Sequence, residues 1–311
     1  MRAAFLAFVF GFCTVNVWAQ SVPTASDPRT VAFVSPQIPY ASYPSGRYQF
    51  QVGNSEPNIK TIGEPGWYDP KISQHTVAKV ADPANGSKKA LRHKLVKGMT
   101  YRTAASPATA RASILGGWNG ASVFTDGTPY WAAFALYVDK DHPFNGSGGD
   151  MTVLSLGHPV SSKNTQSQNV FFLKRNGTVR FLISSNKVLN GTNSTYASSS
   201  FDRPIQKGVW NYFIVQWKYH WDTSKGPYTR VWHAVGNGSP VQWVNTGVAN
   251  AFRESAGFHP WKFGGYIWDV NNGWGSSSSR TIYTKGLQAF RDQPGTPTLN
   301  VNSMLALMRS L

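Results

Sequence analysis

Trp261-Lys-Phe-Gly-Gly-Tyr-Ile-Trp268, followed after a Gly/Ser/Asn-rich turn by Arg280-Thr-Ile-Tyr-Thr284, is the stretch on which the reading of this 311-residue chain depends. Successive side chains of a strand point to opposite faces. Trp261, Phe263, Gly265 and Ile267 then form one face, which suits a core. Lys262, Gly264, Tyr266 and Trp268 form the other: a cation, a gap, a phenol and a flat aromatic, a poor core face but one able to grip an acidic sugar.

Outward from that strand the chain keeps the same character. Residues 47–52, 88–97, 110–115, 150–158 and 209–219 read as strands. So does the nearly apolar run 130–139, where aromatics and the flanking Gly127-Thr-Pro129 favour strand over buried helix. Segments 169–175 and 178–183 flank Asn176-Gly177, the signal for a two-residue hairpin turn with both central residues at positive φ. Segments 229–235 and 241–244 pair in the same way across Asn237-Gly238, and residues 281–290 supply a closing strand. Residues 56–70 read as loop, the Pro/Ser-rich segment 21–46 as an extended lead-in, and 304–311 as a short helix. About ten strands joined by short turns, with no amphipathic helix of ordinary length, predict an all-β protein, a β-jelly roll of the concanavalin-like antiparallel sandwich type.

The N-terminus, with Arg2, an apolar run and Val17-Trp-Ala19, reads as a signal peptide over residues 1–19. That leaves a single domain over 20–311, ending in a short C-terminal tail, in a secreted or periplasmic protein. Cleavage would remove Cys13, the only cysteine, so no disulfide and no cysteine-held metal is expected. The formal charge of +16 would fall only to +15 with the loss of Arg2. Such a field attracts polyanions, and export favours an acidic polysaccharide over nucleic acid. Glutamate is scarce: Glu56, Glu64 and Glu254 are the only three. Glycoside hydrolysis ordinarily uses a carboxyl pair, so that chemistry is disfavoured, although aspartates remain available.

The strand Trp261-Lys-Phe-Gly-Gly-Tyr266 resembles the Tyr-Phe-Lys-Ala-Gly-x-Tyr strand of the jelly-roll polysaccharide lyases, a superfamily that includes alginate lyases, glucuronan lyase and heparin lyase I. Arg111-Ala-Ser113 is similar to its Arg-x-Glu, and Leu156-Gly-His158 to its Gln-x-His. The segments 208–218, 230–232 and 280–283 resemble its long central and closing strands. The similarity spans residues 88–292 and keeps the family order. Leu156 and Ser113 depart from the pattern. The loss of the glutamine leaves open a relocated charge neutraliser, a changed substrate, or a protein that binds without cleaving.

The resemblance implies β-elimination at a uronic acid. A base takes the C5 proton, an acid protonates the oxygen leaving C4, and a cation neutralises the C6 carboxylate. It casts Tyr266 as acid and also as base, His158 as base or neutraliser, and Arg111 as the carboxylate's bidentate partner. A free phenol titrates near pH 10, so a base role needs help. Lys262 on the same face would supply part of it, a cation about 4 Å away contributing roughly 4 kcal/mol in an effective dielectric of about 20 before desolvation is subtracted. Trp268 is a candidate stacking platform, and Arg102, Lys94 and Gln168 are candidate groove residues. No metal ligands are assigned, and the chemistry requires no cofactor; a structural calcium, which some relatives bind, stays open. The expected partner is an acidic polysaccharide bound by a monomer, with no nucleic acid and no membrane once the leader is gone. The alternatives are a carbohydrate-binding jelly-roll protein without activity and a glycoside hydrolase.

Overall fold

The structure, a computed structural model, describes residues 27–36, 48–52, 59–61, 77–96, 110–116, 124–142, 144, 150–158, 167–192, 196–255, 258–267, 279–293 and 299–311. The expected signal peptide, 1–19, lies outside the described residues, as do Arg102 and Trp268.

Two antiparallel sheets of eight strands face each other. Sheet one runs β15 (Val241–Thr246), β14 (Tyr228–Val235), β13 (Trp210–Lys218), β8 (Pro129–Tyr137), β18 (Ser279–Arg291), β5 (Lys89–Val96) and β4 (Val77–Ala81), with β1 (Thr30–Val34) also paired to β18. Sheet two runs β12 (Ala197–Pro204), β11 (Thr178–Ser185), β10 (Asn169–Leu173), β9 (Met151–Ser155), β17 (Trp261–Ile267), β6 (Ala110–Gly116), β2 (Tyr48–Val52) and β3 (Ile59–Thr61). A short ribbon pairs β7 (Phe124–Thr125) with β16 (Phe258–His259). The fold is the jelly roll that the strand pattern predicts.

Aromatic side chains from both sheets interlock in the core. Phe134 of β8 stacks on Phe213 of β13 at 5.0 Å and meets Phe171 of β10 and Phe263 of β17 edge-on at 5.0 and 6.2 Å. Such pairs add to the burial of apolar area, the main force joining the layers. The run 130–139 is apolar throughout because β8 is covered on both sides. One face meets this core, and the other meets α1 (Val301–Ser310), which lies on β8 and β13. A capping box opens α1: Asn300 Oδ1 accepts from Ser303 N at 2.9 Å, and Ser303 Oγ accepts from Asn300 N at 3.0 Å. Lys88 Nζ donates to the carbonyls of Arg309 and Ser310 at its other end, where a cation suits the helix dipole.

Three local expectations are corrected. Residues 56–70 are not all loop, since β3 pairs with β2. The 21–46 lead-in contains β1, whose residues 32–34 continue the sheet beside the second half of β18. The Asn176-Gly177 turn is not the two-residue type: Gly177 has φ 82°, Asn176 does not take positive φ, and Gly177 N donates to Lys174 O at 3.1 Å. A three-residue turn ending in a left-handed glycine results. Asn176 Oδ1 accepts from the amide and hydroxyl of Thr178.

Candidate active site on the outward face of sheet two

β17 occupies the middle of sheet two, between β6 and β9. Trp261, Phe263 and Ile267 are buried in the core, while Lys262 and Tyr266 are half-buried on the outward face. Pairing with β6 is regular and sets Arg111 directly across from Tyr266, and Ser113 across from Gly264. Against β9 the register slips by one residue between Phe263 and Tyr266, where Gly264 takes φ 118°. β9 slips against β10 at the same level. The Gly264-Gly265 pair thus bulges the sheet beside Tyr266. Bulges of this kind re-aim side chains next to functional sites. Here the inward-outward alternation survives, and Tyr266 stays on the Lys262 face.

The register revises which cation serves the phenol. Four residues along one strand separate Lys262 from Tyr266 by about 13 Å of backbone, whereas directly opposed residues bring their Cβ atoms to about 5 Å. The expected support of the phenolate by Lys262 thus has to span four residues of strand, whereas the register sets Arg111 directly opposite Tyr266.

His158 does not join Tyr266. Thr152 of β9 is the residue opposite Tyr266, and Lys262 lies opposite Ser155. The β9–β10 ladder continues past Ser155, with Leu156 N bonded to Asn169 O at 2.8 Å and Gln168 N to Gly157 O at 2.9 Å. His158 follows at the far end, on the order of 15–20 Å from Tyr266 along an extended strand. Imidazole and phenol cannot share one reacting atom at that span. Leu156 is fully buried, and its carbonyl accepts from Tyr219 Oη at 2.7 Å, so this position carries no groove group of any kind.

Two further candidates are displaced. Lys94 lies on β5 between His93 and Leu95, both fully buried, and so faces away from the core on sheet one, across the sandwich from Tyr266. Gln168 is fully buried and belongs to a structural chain. Its Nε2 donates to His259 Nδ1 at 2.8 Å, and His259 Nε2 faces Asp126 Oδ1 at 3.2 Å. Gly157 sits against this chain because a Cβ there would run into Gln168 Oε1 and lie 2.9 Å from Tyr219 Oη.

Sequence reasoning passed over several charged groups. Arg280, the second residue of β18, is 3% exposed, and burial lowers its pKa while the charge of Asp150 partly opposes that shift. On the outward face of sheet two, Arg180 grips Asp202 with Nε at 2.7 Å and Nη2 at 3.0 Å. Arg180 could have been found from the sequence, since it alternates with Val179 and Phe181 in a legible hairpin. Its partner could not, because β12 is a polar strand, Ala-Ser-Ser-Ser-Phe-Asp-Arg-Pro, without an apolar stripe. Among the described residues no three His, Cys, Asp or Glu side chains gather as a metal site.

No curated protein matches the chain. Among solved structures, the endo-β-1,4-glucuronan lyase of the fungus Trichoderma reesei superposes with a TM-score of 0.53 at 11% identity, over 79% of this chain and 95% of that one. The marine PL-14 alginate lyase of Aplysia kurodai gives 0.48 at 12% identity over 80% and 99%. Alginate lyase A1-II', of polysaccharide lyase family 7, gives 0.48 at 12% over 79% and 94%. The first of these supports the fold assignment. The family model described as polysaccharide lyase matches residues 50–288, well over half of the sequence, and the chain belongs to that family.

Proposed function

We propose that the protein is an exported lyase that cleaves a uronate-containing polysaccharide by β-elimination, with Tyr266 moving the proton and Arg111 neutralising the substrate carboxylate. The observation that carries this reading is the register pair Tyr266–Arg111 on the outward face of sheet two, in a polysaccharide lyase of formal charge +16.

As a phenolate, Tyr266 takes the proton from C5, with Arg111 at the register position opposite it. The electron pair left behind spreads onto the C6 carboxylate, whose growing charge Arg111 offsets. The C4–O4 bond then breaks, C4=C5 forms, and the phenol returns its proton to the departing O4. The proton removed ends on the new chain terminus, so no water, oxidant or cofactor is consumed. A structural calcium, if bound, would serve stability rather than this chemistry. Lys262 and His158, set progressively farther along the strands, stand away from the reacting sugar. The basic, apolar and small-residue pattern of residues 1–19 supports a cleaved leader, followed by one domain over 20–311 acting as a monomer on a polymer outside the cytoplasm.

Glucuronan is the first polymer to try, followed by alginate and heparin-type glycans. Elimination creates a conjugated C4=C5 bond that absorbs in the ultraviolet, and a rise in that absorbance is the expected result. New reducing ends without absorbance would replace this reading with hydrolysis, and binding without either would replace it with a carbohydrate-binding role.

A further inference from the structure

Register pairs join into one row across sheet two. Tyr266 lies opposite Thr152, Thr152 opposite Phe172, Phe172 opposite Arg180, and Arg180 opposite Asp202. The neighbours Phe171, Leu173, Val179 and Phe181 are buried in the core, so Phe172 and Arg180 share the outward face with Tyr266. Strands lie about 4.8 Å apart, close to the advance of one pyranose along an extended polysaccharide. Arg180 therefore stands about three sugar units from Tyr266, with the flat, half-buried ring of Phe172 between them.

The row ends in a built cationic group. One carboxylate, Asp202, holds two cations: Arg180 through Nε and Nη2, and Lys174 Nζ at 3.1 Å. Two cations share the Asp202 carboxylate, with Asp150 near enough to act on Arg180, and Arg180 is held by two of its three nitrogens, so its Nη1 edge is left for another acceptor. Exposed ion pairs add little to stability, so a second cation on a carboxylate already gripped bidentately is poorly explained as scaffolding. An orientated guanidinium suits a carboxylate ligand.

We infer that Arg180, braced by Asp202 and aided by Lys174, forms a distal subsite for a uronate carboxylate, so that the substrate runs across the strands from Tyr266 to β11. This rests on the proposed function and deepens it, because it makes the protein a reader of polymer that binds about three units beyond the cleaved bond. A chain too short to reach β11 gains nothing from Arg180.

The test compares Arg180→Ala with the wild type on the polymer and on the shortest oligosaccharide that the wild type cleaves. The expected result is a KM raised about tenfold on the polymer, with kcat unchanged and short-substrate turnover unaltered. Short-substrate turnover also reports that the variant is folded. Arg180→Lys should recover part of the loss, since it keeps the charge but not the fork. Equal effects on long and short substrates, or none on either, would overturn the subsite. If the wild type binds an acidic polymer without cleaving it, the elimination reading fails, and weaker binding by Arg180→Ala would still support the subsite. Unchanged binding, or no binding of any acidic polymer by the wild type, would end it.

Discussion

The two ends of the β9–β17 pair carry similar residue types and do different things. At one end Tyr266, Thr152 and the Arg111 position meet on an outward face, with Tyr266 and Thr152 half-buried. At the other, Gln168, His259 and Tyr219 are fully buried: Gln168 bonds to His259, His259 faces Asp126, and Tyr219 donates to the Leu156 carbonyl. A buried polar group needs a partner inside the protein, and those at the second end have been recruited to hold the chain turn at Gly157. The first end instead lies half-buried on an outward face that a polymer can reach. Register and burial separate the ends, and residue identity does not.

The sharpest way to break this contrast is at the first end. Tyr266→Phe should lower elimination by about 10²–10⁴-fold while polymer binding persists, read from the ultraviolet product signal and from affinity for the same polymer. Arg111→Ala should cost about 10²–10³-fold in kcat, whereas Lys262→Ala should change KM by less than tenfold. Equal losses in kcat would return the phenol's electrostatic partner to Lys262.

Buried imidazoles elsewhere sharpen the reading of the second end as structure. His233 stacks on Phe213 at 4.7 Å, accepts from Arg203 Nε at 3.0 Å and faces Asn211 Oδ1 at 3.1 Å. Burial, with the Arg203 charge second, lowers its pKa from 6.5 to about 4. Because the unfolded chain binds the proton more readily, stability is full above pH 6.5 and falls as pH drops toward 4, by roughly 3 kcal/mol from this residue alone. Urea melts across that range should show the loss, and His233→Gln should flatten it; an unchanged slope would count against the neutral, buried imidazole. The smallest effect expected is that of Gly157→Ala, which crowds Gln168 and Tyr219 and should cost about 1–3 kcal/mol. Thermal melting would fall by several degrees while turnover of the folded enzyme stays near normal. Lost turnover at unchanged stability would make the second end functional.

Alternation made much of the sandwich legible in the sequence. β10, β11 and β14 show buried and half-exposed residues largely where the pattern puts them, because their inner faces carry Phe, Val and Ile, whereas β13 is buried from Trp210 to Val215 and also meets α1. β12 was hidden because an edge strand exposed along most of its length needs no apolar stripe. β1 was hidden because Pro28 and Pro36 bracket it, and it is ordered by the edge that β18 offers. The site was legible in part. Tyr266 and the outward face of its strand follow from period two alone. Distance does not: the motif order that joined Leu156-Gly-His158 to Tyr266 contains no register, and the ladder puts them at opposite ends of the strand. Lys94 and Gln168 failed for the same reason, since a cation or an amide in a strand announces neither its sheet nor its depth.

A side-by-side assay of His158→Ala and Tyr266→Phe on one acidic polymer tests the central contrast most directly. The alanine variant should keep its ultraviolet product signal within about tenfold of wild type, as expected for a residue away from the reacting sugar, while the phenylalanine variant binds and loses about 10²–10⁴-fold of that signal. A silent His158→Ala beside an active Tyr266→Phe, both folded, would contradict the account.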